Sequence, residues 1–95
     1  MSWKAVARRT YEERVVKDAL ERLAGRVDLR GLPFSEDELK TLARRARESF
    51  LNSQKRGERL ARYKVHLAKL HGPDWVATVS AALEEINNEI GYEEK

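Results

Sequence analysis

The chain has no cysteine. That excludes disulfides, Cys-based zinc sites and thiol redox chemistry, and it favours an intracellular, cytoplasmic protein. Only two prolines and five glycines punctuate its 95 residues. Nothing reads as a strand, an internal repeat or a low-complexity linker. No apolar run approaches the ~20 residues needed to cross a membrane. The opening MSWKAVARR is not followed by an apolar stretch, so it does not read as a signal peptide. The aromatic residues are few, and they do not alternate with cations as a single-strand stacking platform would.

Catalytic patterns are also missing. His66 and His71 are the two histidines. At a five-residue spacing they point roughly 140° apart on a helix and do not form a metal pair. Glu85 and Glu89 are helical neighbours with no histidine beside them, and no second carboxylate pair accompanies them. The glycines stand singly rather than in a phosphate-cradling pattern, and no serine lies in a nucleophile motif. These absences predict a non-enzymatic protein with no cofactor and no metal.

What is present is charge, unevenly distributed. Charged residues make up 37% of the chain, well above the usual quarter, so much of every helix must face water. The formal net charge is +3. Basic and acidic residues balance over 1–39. Residues 40–71 hold ten basic side chains against Glu48 and Glu58 alone, and residues 72–95 hold six acids against Lys95. A basic middle beside an acidic end predicts either an anionic partner or a bundle that pairs with itself.

The first helix is predicted from Trp3 to Ala24, with Gly25 as its stop. Trp3, Ala7, Tyr11, Val15, Ala19 and Leu23 recur every four residues, and such a stripe drifts around a helix. Thr10 to Glu13 has the form of a capping box, so a start at Tyr11 is the alternative, leaving 1–9 as a basic arm. Ser35 is predicted to cap the second helix, with Glu38 completing the box and Phe34 stapled onto Leu39. Leu39, Leu42, Ala43, Ala46 and Phe50 then share one core-facing arc. Around Asn52, Ser53 and Gly57 the alternatives are a break or one long bent helix. The third helix runs to about Leu70 and ends at Gly72-Pro73. Pro73 and Asp74 suit the first turn of a fourth helix, whose apolar stripe runs from Trp75 through Val76, Val79, Ala82, Leu83, Ile86 and Ile90. Trp75 is expected as a core anchor, and 92–95 as a frayed tail. The expected fold is all-α, a small compact bundle of three to four roughly antiparallel helices forming a single domain over 1–95.

On the third helix, Leu60, Tyr63, Leu67 and Leu70 share the expected core side. Lys55, Arg59, Arg62, His66 and Lys69 fall within roughly 80° of one another elsewhere, a strip roughly 20 Å long. Arg44, Arg45 and Arg47 on the second helix are expected to support it from several directions. Arginine suits phosphate because its planar fork donates two parallel hydrogen bonds, and several cations on a polyanion release counterions. The strip therefore predicts contact with a DNA or RNA backbone with little sequence specificity, in a non-catalytic accessory subunit of a nucleoprotein assembly. In size and charge alone the chain resembles the small helical subunits of CRISPR effector complexes and phage-encoded packaging proteins. A helix-turn-helix is not expected, because Asn52–Gly57 is longer than its tight turn. The competing expectation is a protein-interaction module. Its basic helix would dock on an acidic partner or on its own acidic helix in an oligomer, with Trp3 and Tyr11 as contact residues.

Overall fold

The structure is a computed structural model that describes Trp3 to Gly91, with side chains described over 13–52 and 57–91. Four helices make up this described part of the chain: α1 (Trp3–Ala24), α2 (Glu36–Leu51), α3 (Ser53–His71) and α4 (Pro73–Ile90). They pack as an all-α bundle. A single 3-10 turn, Leu29–Gly31, lies in the connection before α2, where the Asp28 side chain accepts from the Arg30 N–H at 3.1 Å.

α1 continues unbroken through Thr10. The alternative start at Tyr11 is therefore not used, and residues 3–9 belong to the first helix rather than to a separate arm. Val15, Val16, Ala19 and Leu23 are buried among its described side chains, an i, i+4, i+8 row joined by Val16. The expected tail, 92–95, lies outside the described residues.

α2 begins as its sequence predicts. Ser35 Oγ accepts from the Glu38 N–H at 3.1 Å, and Glu38 Oε1 accepts from the Ser35 N–H at 2.8 Å. Two N–H groups that the helix cannot satisfy itself are thus satisfied reciprocally. Phe34 and Leu39 are both buried in the core beside this cap.

α2 and α3 are separated by Asn52 alone. Arg59 of α3 reaches back to Glu48, and His71 reaches Glu38, so the two helices form an antiparallel hairpin. The break expected around Asn52, Ser53 and Gly57 falls at Asn52, and Gly57 lies within α3. A helix-turn-helix remains excluded, now by the antiparallel pairing of α2 and α3 rather than by the length of their connection. Gly72 separates α3 from α4 with φ 104°, a backbone angle that a side chain would strain.

Leu23, Leu42, Leu67, Val79, Leu83 and Ile86 are the largest fully buried side chains, and all four helices contribute to them. Each contributes about 1.5–3 kcal/mol through burial. Two expected core residues lie elsewhere. Leu70 is 58% exposed and Trp75 is 43% exposed. Leu70 is in the last turn of α3, about 60° around the helix from the fully buried Leu67, and Trp75 is in the first turn of α4, about 100° from the buried Val76.

Candidate nucleic-acid interface

Arg59, Arg62, His66 and Lys69 all lie on exposed surface of α3. They share a face because helical steps of three and four residues return to the same side. The expected fifth member, Lys55, lies outside the described side chains, as do the expected partner contacts Trp3 and Tyr11.

The ion pairs show how much of this charge is already neutralised. Arg59 Nη1 is 3.5 Å from Glu48 Oε2 on α2. Arg62 Nη2 is 3.9 Å from Glu58 Oε2, with both side chains more than 80% exposed. Exposed pairs of this kind contribute roughly 0–1 kcal/mol and leave the arginine available to a stronger anion. Lys69 has no ion-pair partner among the described residues. His66 lies against Tyr63, with ring centroids 6.0 Å apart.

The acids of α4 are occupied elsewhere or stand alone. Glu89 receives Arg22, in the last turn of α1, at 3.3 Å and also Arg26, in the connection just after that helix. These arginines, chiefly Arg26, hold the Glu89 carboxyl below its ordinary pKa. In turn Asp18 first and Glu89 second raise the pKa of Arg22. Glu84 and Glu85 are exposed and have no ion pair among the described residues. The described acids of the C-terminal helix therefore do not cover the described cations of α3.

The three supporting arginines of α2 part company. Arg44 is exposed but lines a groove on the side of α1. Arg45 is half-buried on the α3 side, close enough to act electrostatically on Tyr63, whose hydroxyl pKa is raised mainly by burial. Arg47 is 5% exposed, so the expectation that it supports a surface strip is corrected. Its guanidinium lies over the Phe50 ring, 5.3 Å from the centroid, and Nη1 donates to Asn87 Oδ1 at 3.5 Å. A signal for this was present: Arg47 is one turn after Ala43, within about 40° of it on the wheel and so beside the core arc.

His71 also has a place that its spacing from His66 did not reveal. It is half-buried at the C-terminus of α3, with Nε2 3.0 Å from Glu38 Oε1 and its ring edge-on to Phe34 at 5.1 Å. The interaction ties the end of α3 to the cap of α2, which is a structural role. Val65, 55% exposed, stands on the same outward face as Arg62 and Lys69. Among the described residues, no group of three His, Asp or Glu side chains is arranged to hold a metal ion. No described helix is long and apolar enough to cross a membrane. No family model matches the chain, and no curated protein or solved structure matches it.

Proposed function

We propose that this protein binds DNA or RNA through the phosphate backbone with the outward face of α3, as a non-catalytic subunit of a larger nucleoprotein assembly. One observation carries the reading. Arg59, Arg62 and Lys69 stand exposed on a single helix face, while the nearby acidic helix pairs its Glu89 with α1. A strip of one sign attracts a polyanion and gains further from counterion release. His66 adds a donor, and Arg45 approaches the same side from α2. Such a surface recognises phosphate spacing rather than base edges.

The direct test is fluorescence anisotropy with labelled single-stranded DNA, duplex DNA and RNA at low and at physiological salt. Binding that weakens steeply with salt supports the reading and ranks the ligands. No binding at low salt ends it for the isolated protein.

A second reading is favoured by a different observation. Val65, 55% exposed, borders the basic face, about 40° around the helix from Lys69, where a phosphate backbone has no use for it. An acidic protein partner with an apolar residue at its edge would use both. Val65→Lys separates the two readings: it strengthens a phosphate contact and weakens a protein contact.

A further inference from the structure

We propose that this protein pairs with a second copy of itself by exchanging α3 and α4, with α2 and α3 joined through Asn52 into one continuous helix. Asn52 is the one non-helical residue between Glu36 and His71. Its N–H already donates to the Glu48 carbonyl at 2.9 Å, the bond a helix makes at that position. Its own φ of −150° and ψ of 74° are what depart from helical values of about −63° and −42°. Once Asn52 is helical, the N–H groups of residues 53–56 donate to the carbonyls of residues 49–52. In the hairpin those groups lie beyond any partner within their own helix, and Asn52 supplies no side-chain cap.

The apolar faces agree in phase across the joint. Leu42 and Leu60 are eighteen residues apart, five whole turns, so a continuous helix points both the same way. Leu67 follows within about 20°. Leu42 and Leu67 are fully buried, and Leu60 packs against the same core. One long helix therefore presents a single apolar face along its length. The charges at the joint also suit a helix interior rather than two ends. α2 closes with no basic residue in its last turn, and α3 opens with no acid in its first, where the sequence has Lys55 and Arg56. Helix dipoles disfavour that arrangement at two separate ends, and a continuous helix removes both ends. The joint between α3 and α4 is the opposite case. Lys69 and His71 precede it, Asp74 follows it, Gly72 has φ 104°, and Pro73 has no N–H to continue a helix. α3 and α4 therefore move as one unit. Exchange of that unit re-forms its core contacts between chains, and a hairpin without slack favours it.

The test is refolding of the full chain from urea at millimolar concentration, followed by size-exclusion chromatography with light scattering. The proposal expects a dimer that returns to monomer slowly on dilution, because exchange requires α3 and α4 to leave the core. A dimer of isotope-labelled and unlabelled chains shows how it is built. The rings of Phe34 and His71 have centroids 5.1 Å apart, and in the exchanged dimer their nuclear Overhauser contact passes between chains. Asn52→Ala lowers the dimer dissociation constant about tenfold, since each dimer places two such residues in helix and alanine is the better helix former. Insertion of Gly-Gly-Gly after Asn52 gives the hairpin slack and abolishes the dimer. A chain that stays monomeric at millimolar concentration, Asn52→Ala included, overturns the proposal. A dimer whose Phe34–His71 contact stays within each chain also overturns it and means an ordinary surface association. So does a dimer that the glycine insertion leaves unchanged.

Discussion

Arg22 Nη1 donates to Glu89 Oε1 at 3.3 Å, across 67 positions of sequence. This contact commits part of the acidic helix to α1 and leaves the cations of α3 facing outward. Electrostatic self-complementarity, the bland explanation of a basic segment followed by an acidic one, therefore operates between α1 and α4.

The first prediction follows from that separation. Arg59→Glu with Arg62→Glu weakens binding to every nucleic-acid sequence about equally. The slope of log affinity against log salt falls by about two, one unit for each phosphate that is no longer neutralised. Helicity is retained, because the pairs removed are exposed ones contributing at most about 1 kcal/mol. Circular dichroism beside the anisotropy titration checks both halves. Loss of fold would make the strip structural.

A second prediction contrasts two carboxylates. Glu48→Gln removes an acid beside Arg59 and strengthens nucleic-acid binding by ~1 kcal/mol or less. Glu89→Gln, whose partners lie at the end of α1 and in the connection after it, leaves that binding unchanged. Equal effects from the two substitutions would contradict the division of charge described above.

The third concerns acid stability. Glu38 has its pKa lowered chiefly by the Ser35 backbone N–H, against the opposing effect of burial, with further lowering from His71. A carboxyl lowered in the folded state stabilises the protein above its unfolded pKa of about 4.3. That stability is lost as pH falls through the lower, folded value. Glu38→Gln therefore flattens the fall of the urea midpoint over this acid range. Ser35→Ala costs about 1 kcal/mol at neutral pH through loss of the cap. An acid limb identical in Glu38→Gln and the parent would refute the assignment.

The fourth separates core from surface. Leu83→Ala costs about 2–5 kcal/mol, since the site is 1% exposed and closed in by packed neighbours. Trp75→Ala, at a half-exposed helix start, costs far less. Thermal unfolding of the two variants distinguishes them readily, at roughly 4–8 °C per kcal/mol for a domain of this size.

Local signals make much of the architecture legible in the sequence. The S-x-x-E box, Gly25 and Gly72-Pro73 mark boundaries because each acts through hydrogen bonds or backbone angles within a few residues. The core arc of α2 is legible for the same reason. Trp75 and Leu70 are misplaced because they lie at the margins of their apolar arcs, about 100° from Val76 and 60° from Leu67, and a stripe of apolar letters does not show how wide the covered arc is. Arg47 is misplaced when its charge is allowed to outweigh its angle, which falls beside Ala43. The surface cations of α3 are legible as a strip. Their freedom from α4 is not, because it depends on which helix Glu89 meets across the bundle.

The single-residue joint at Asn52 bears on all of this. A hairpin with no slack behaves as a stiff two-pronged fork, so the spacing between Arg45 on one prong and Arg59 on the other is set before any ligand arrives. The entropy lost on association then falls mainly on the ligand, and a flexible single strand loses more of it than a duplex whose phosphates are already in line.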